Sequence, residues 1–184
     1  MKRRRWVARA FGALTVLCIL AGIYSGRSMA AEKGSHVSIL FTHDMHSHIN
    51  SFQTVYKGED VNIGGFARIQ SIINRQREKD PETLLVDGGD FSMGSLFQTV
   101  YETQASELRL MGAMGYDATT LGNHEFDFRS KGLENMLYTA AGSGEELPSL
   151  LVCNVDWTAA GEEQEEIRTA FEAYGVKDYV IVEK

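Results

Sequence analysis

Three short apolar runs in this 184-residue chain each end abruptly in side chains able to bind metals or move protons. Residues 36–41 lead into Asp44 and His46, residues 83–86 into Asp87 and Asp90, and the segment 118–121 into Asn123, His124 and Asp127. The first is a strand candidate, the second is too short and too uniformly apolar for a helix, and the third is a short segment read as a further strand. Between the first two, Phe66, Ile69, Ile72 and Ile73 recur at helical spacing after Gly64-Gly65. A basic last turn (Arg75, Arg77, Lys79) then meets Asp80-Pro81, and proline drives the residue before it out of the helical region. Strand, helix, strand is the unit of an α/β fold, and in open sheets of that class sites form beyond the carboxyl ends of the strands. The three polar clusters are therefore expected to converge on one point.

The rest of the chain extends the alternation. A second helix is expected from Glu102 to Met114, with Ala105, Leu108 and Met111 on one stripe and Gly115 as its stop. Ser130 is a candidate N-cap for a third, carrying Leu133, Met136, Leu137 and Ala140 and closed by Gly142. Residues 150–153 and 179–182 are strand candidates; residues 158–166 read as a solvated acidic linker, followed by a short helix through Ile167, Ala170, Phe171 and Tyr174. No internal repeat or low-complexity segment is present.

Asp, His and an amide oxygen form the ligand set of a hydrolytic dimetal centre, which needs a bridging carboxylate, terminal ligands and a water of lowered pKa. Asp90 suits the bridge, because Gly89 beside it allows close backbone approach. Each cluster alone has a plainer reading. Asp44-Met45-His46 could be a turn carboxylate beside a surface histidine, and Asp87-Gly88-Gly89-Asp90 a tight turn capped by aspartates. Gly122 to Glu125 could be a loop with a left-handed asparagine. The ordered set after three strands is what carries weight.

Charge narrows the chemistry further. Residues 1–30 hold six basic and no acidic residues, which leaves 12 Lys+Arg against 25 Asp+Glu, a net −13, over residues 31–184. A body so acidic is a poor general nucleic-acid binder, and phosphate chemistry in it would need metal ions for positive charge. Residues 1–30 read as an export signal: Lys2 to Arg5, an apolar stretch over 11–24, then Ser28-Met29-Ala30, with cleavage expected after Ala30. An uncleaved membrane anchor is the alternative, and either places the body outside the cytoplasm, in a periplasm, a cell wall or the medium. Cys18 lies in the leader, so the body has a single thiol, Cys153, and no internal disulfide.

The segments Phe41-Thr42-His43-Asp44-Met45-His46, Val86-Asp87-Gly88-Gly89-Asp90 with Gly94-Ser95, and Gly115-Tyr116-Asp117-Ala118 running into Leu121-Gly122-Asn123-His124-Glu125-Phe126-Asp127 resemble the calcineurin-like metallophosphoesterases. They are most similar to the exported bacterial 5′-nucleotidase / UDP-sugar hydrolase branch, over about residues 36–184, and Gly64-Gly65-Phe66-Ala67-Arg68 fits that branch's helix opening. The resemblance implies a layered α/β/β/α sandwich of which residues 31–184 supply the first half, mainly one sheet and its helices. It implies two divalent ions (Mn, Zn, Fe or Co), with Asp44 and His46 on the first, Asp90 bridging and Asn123 on the second. His124 would be the catalytic histidine, oriented by Asp127, and Asp87 would hold a ligand or its loop. The implied reaction is attack of a bridging hydroxide on a nucleotide or sugar-nucleotide phosphoester.

Two departures stand out. His43 and Ser47 replace the family's usual Asn and Gly, so His43 is either an extra ligand or a solvated, loop-bonding histidine. The family also completes its site with further histidines from the second half of the domain, whereas the last histidine here is His124. The chain alone is therefore expected to be inactive, as the amino-terminal part of a nucleotidase. The alternatives are a non-catalytic exported module and a cyclic-nucleotide phosphodiesterase of the same superfamily. An uncovered sheet face and exposed strand edges are also expected.

Overall fold

A computed structural model describes residues 36–159 and 161–184; the expected export signal lies outside the described residues. Strands β1 (Ile39–Thr42), β4 (Leu84–Asp87), β5 (Ala118–Thr119) and β6 (Ser149–Leu150) form a four-stranded parallel sheet in the order β1-β4-β5-β6. Helix α1 (Phe66–Lys79) links the first pair, α2 (Tyr101–Gln104) and α3 (Ser106–Met114) the second, and α4 (Arg129–Ala141) the third. Each strand is added on the same side of the last, so right-handed crossovers put these helices on one face of the sheet. The core lies there: Leu85 and Leu150 from the strands meet Phe66 and Ile73 of α1, Leu108 and Met111 of α3, and Leu133, Met136 and Leu137 of α4. On the other side of edge strand β1, Val37, Ile39 and Phe41 are 77%, 57% and 61% exposed, the uncovered face expected from the sequence.

Several expectations need correction. The helix expected over 102–114 breaks at Ala105, which adopts φ 44°. Bonds from elsewhere stabilise the break: Thr139 Oγ1 of α4 donates to the Glu102 carbonyl (2.7 Å) and Arg109 Nη1 to that of Gln104 (3.2 Å). Helix α4 begins at Arg129, and no side chain caps it, so Ser130 is not its N-cap; Gly142 does close it. The linker over 158–166 is shorter than expected, because α5 (Glu162–Tyr174) starts inside it and buries Ile167, Ala170 and Phe171. The strand expected over 150–153 is confined to Ser149–Leu150, with a bridge from Leu151 to Lys177. Residues 179–182 form no strand, since a strand needs a hydrogen-bonded neighbour and none pairs with them among the described residues; Tyr179 and Ile181 are exposed.

A hairpin not expected from the sequence, β2 (Phe52–Tyr56) with β3 (Glu59–Ile63), is paired antiparallel. Its two-residue turn, Lys57-Gly58, has φ of 53° and 82°, the left-handed pair that matches strand twist. Among the described residues, no helix is long and apolar enough to cross a membrane.

Candidate metal centre

The three polar clusters meet. Beyond β1 and β4, two loops run against each other, with Asp44 N–H donating to the Gly89 carbonyl (3.0 Å), His46 N–H to that of Asp90 (3.0 Å) and Ser47 N–H to that of Phe91 (2.8 Å). The third loop, after β5, presses on the second so closely that a Cβ on Gly122 would lie 2.1 Å from Asp90 Oδ1. Left-handed backbone gathers at the same place: Asp44, His46, Ser47, Asp90 and Met93 all have φ between 47° and 59°. Such residues cost on the order of 1–3 kcal/mol each and persist only where the surroundings over-determine them.

One ligand atom each from His46, Asp90 and His124 lies within 4.8 Å of the others. His46 Nδ1 is hydrogen-bonded to the Met93 carbonyl (3.1 Å), which puts the proton there and leaves Nε2 as the free donor atom. That Nε2 sits 3.4 Å from Asp44 Oδ1. The ring of His124 stands edge-on to that of His46, centroids 4.9 Å apart, with its Nδ1 bonded to Asp127 Oδ2 (2.9 Å). This bond is the main reason its pKa lies above the ordinary histidine value. The His124 N–H donates to Asp90 Oδ1 (2.9 Å). Asn123 has φ −74°, so the left-handed reading of that loop is wrong, and its side-chain amide faces Asp90 Oδ2 at 3.2 Å. In one orientation the amide donates to that oxygen, and in the other two acceptors face each other, which a cation between them relieves.

The donor set, the His46 imidazole with its free Nε2, the carboxylates of Asp44 and Asp90 and the Asn123 amide, fits divalent ions of the Mn, Zn, Fe or Co class. His124, expected as the proton donor, falls within reach of the same point as the expected ligands His46 and Asp90. His43 takes the loop-bonding option: its Nδ1 pairs with Asp44 Oδ2, which is the main reason that the Asp44 carboxyl lies below its usual range.

Buried groups hold these loops. Asp87 accepts from Thr42 Oγ1 (2.6 Å), Thr119 Oγ1 (2.9 Å) and Gly89 N–H (2.9 Å), tying the ends of three neighbouring strands together. Burial pushes its carboxyl up. Ser47, fully buried, donates to Glu107 Oε1 (2.5 Å), also buried, and accepts from Ser95 Oγ (2.6 Å) at its carbonyl. These bonds stabilise a serine at φ 53°, a conformation that glycine adopts without steric cost. Glu107 and Glu125 were missed in the sequence, where nothing separates a buried glutamate from a solvated one. Glu125 does lie inside the Gly122–Asp127 string that carries the resemblance. A groove of about 490 Å³ runs past Asp44 and His46, with Phe41, His48 and Phe52 in its walls.

A four-stranded parallel sheet with a cluster of metal-type donors at its strand ends makes this an α/β protein with a candidate metal site, and comparison gives the particular family. The chain belongs to the calcineurin-like phosphoesterase family, whose sequence profile matches residues 37–179. Among its relatives, the 5′-nucleotidase of Bos taurus is 38% identical over 108 residues, covering 56% of this chain and 18% of the relative. The NAD 5′-nucleotidase of Haemophilus influenzae is 34% identical over 111 residues, covering 58% and 18%. Among solved structures, the 5′-nucleotidase precursor of Thermus thermophilus superposes with a TM-score of 0.62 at 25% identity, over 79% of this chain and 26% of that one. The chain thus spans about a fifth of the length of the curated relatives it matches.

Proposed function

We propose that residues 31–184 are the amino-terminal part of the catalytic domain of a metal-dependent phosphoester hydrolase of the 5′-nucleotidase type, exported behind residues 1–30 and acting on nucleotides or sugar nucleotides. The observation that carries this reading is the meeting of His46, Asp90 and His124 from three strand ends in a chain of this family. Asp44 and His46 would hold one divalent ion, Asp90 would bridge to a second, and Asn123 would bind that one. When bound, such ions supply positive charge to phosphoryl oxygens and make water a nucleophile at neutral pH. The chain's own residues do the rest. Asp127 keeps the proton on His124 Nδ1 and stabilises the imidazolium, so that Nε2–H can donate to a phosphoryl oxygen or to the leaving group. The exposed apolar face of β1 supports a sandwich whose second sheet covers it.

Within the described residues the second ion has only Asp90 and Asn123, so we propose that these residues alone do not turn over. A cyclic-nucleotide substrate is the second reading, since the metal-type ligands within the described residues serve a phosphodiester as well as a phosphomonoester. The test, with Mn²⁺ present, is release of phosphate from AMP against ring opening of cyclic AMP to AMP, followed by chromatography because that step frees no phosphate. In protein from the native source, metal-stimulated release from AMP is expected to be lost on Asp90→Ala. Ring opening of cyclic AMP without phosphate release from AMP would select the second reading, and turnover of neither substrate would refute both. Turnover of AMP by residues 31–184, abolished by Asp90→Ala, would refute their inactivity.

A further inference from the structure

Resting on that reading of the site, we infer that Glu125 is the positioning residue of the metal centre: a buried carboxylate that locks the Asp90 loop to the Asn123–His124 turn before any ion arrives. Glu125 is completely buried. Its Oε2 accepts from the backbone N–H of Asp90 (2.9 Å) and of Gly122 (2.7 Å), and its Oε1 from the N–H (3.0 Å) and hydroxyl (2.7 Å) of Ser92. Four donors occupy the four lone-pair directions of the carboxylate, so it has none left for a metal ion or a substrate. Its role is exerted through the residues it holds.

Those residues belong to two different loops. Asp90 and Ser92 follow β4, whereas Gly122 and Glu125 itself follow β5, and one carboxylate joins the two. The Asp90 turn needs such a lock, since Asp90 sits at φ 51° and Gly89 at φ 89°. On the other side of the lock, the His124 N–H reaches Asp90 Oδ1, and the Asn123 amide faces Asp90 Oδ2. Glu125 therefore fixes the position of the bridging carboxylate relative to both the amide ligand and the catalytic imidazole. Its own backbone is held as well, because the buried Tyr101 hydroxyl donates to the Glu125 carbonyl (2.8 Å). A site joined in this way binds an ion without first ordering its loops, so loosening the lock lowers metal affinity even where the fold survives.

The experiment is a Mn²⁺ titration of the purified full chain, followed by electron paramagnetic resonance of free and bound ion, alongside thermal melting without metal. Glu125→Gln keeps the volume but turns one oxygen into a donor, which opposes either the Asp90 and Gly122 N–H groups or those of Ser92. It is expected to weaken Mn²⁺ binding by about tenfold or more at temperatures where the chain is folded. Ser92→Ala removes a single bond and is expected to weaken binding by a smaller factor; it decides the matter if Glu125→Gln does not fold. A purely structural glutamate would lower the melting temperature of the metal-free chain and leave the affinity of the folded form unchanged, and that result overturns the inference. Wild-type binding that Asp90→Ala abolishes and Glu125→Gln leaves intact overturns it while sparing the reading of the site. No binding by the wild-type chain at millimolar Mn²⁺ overturns both.

Discussion

Gly122→Ala is the sharpest test of how the metal-type cluster is assembled. An added Cβ would lie 2.1 Å from Asp90 Oδ1, 2.5 Å from its Cγ and 2.6 Å from its backbone nitrogen, where ordinary contact begins near 3.4 Å. The Asp90 carboxylate must then retreat by more than 1 Å. Neither side can give easily, since the N–H groups of both Gly122 and Asp90 are tied to Glu125. Overpacking of this kind costs about 1–3 kcal/mol. For a chain of this size that lowers the melting temperature by roughly 3–10 °C. A ligand misplaced by about 1 Å costs on the order of 100-fold where geometry governs the chemistry, and a loss of Mn²⁺ affinity of at least about tenfold is expected. The assays are a thermal melt and a Mn²⁺ titration, with Gly161→Ala as control, because its Cβ would meet only the end of the Gln164 side chain at 3.1 Å. A Gly122→Ala chain that melts and binds Mn²⁺ as the wild type does would refute the crowded geometry at Asp90.

Two further outcomes follow from the buried groups around the site. Burial holds the Glu107 carboxyl above its ordinary value of 4.5, against the opposing bond from Ser47. The folded state then binds more protons than the unfolded one above that value, so this group's stabilisation is full below pH 4.5 and is lost as pH rises through the folded pKa. Glu107→Gln is expected to gain melting temperature relative to wild type on going from pH 4.5 to pH 8, and parallel profiles would contradict this. Tyr101→Phe leaves the buried Glu125 carbonyl without its donor and is expected to cost about 1–3 kcal/mol in a denaturant melt; an unchanged midpoint would mean that the carbonyl finds another partner.

Much of the sheet was legible because its signals are local. The run before Asp87 is apolar and short and ends in glycine-rich chain, so β4 falls within one residue of its expected place; β1 begins three residues later than expected, and β5 keeps only the first two of its four expected residues. Helix α1 was legible for the same reason: its apolar spacing and the stop at Asp80-Pro81 lie within one segment. The break at Ala105 was not, because it depends on Thr139 and Arg109, of which the first is 34 positions away and on another helix. The lost strand over 179–182 has local strand character but no neighbour among the described residues, which is a property of the sheet rather than of the segment. The hairpin over 52–63 was overlooked because its turn is Lys-Gly, without the Asn or Asp that most strongly marks a turn of that type.

The candidate site divides along the same line. The identity and order of the groups able to hold metal, Asp44, His46, Asp90, Asn123 and His124, stand in the sequence, as does their place at strand ends. Side-chain chemistry and strand periodicity are short-range properties, carried by the residues themselves. Tertiary structure decided which of these groups come within reach of one another, that His124 joins the cluster of His46 and Asp90, and that His43 spends its ring on Asp44. It also decided that two glutamates of ordinary appearance, Glu107 and Glu125, are buried and bonded across loops. Burial and long-range hydrogen bonding arise only when segments distant in the chain pack together, and no residue carries either property alone.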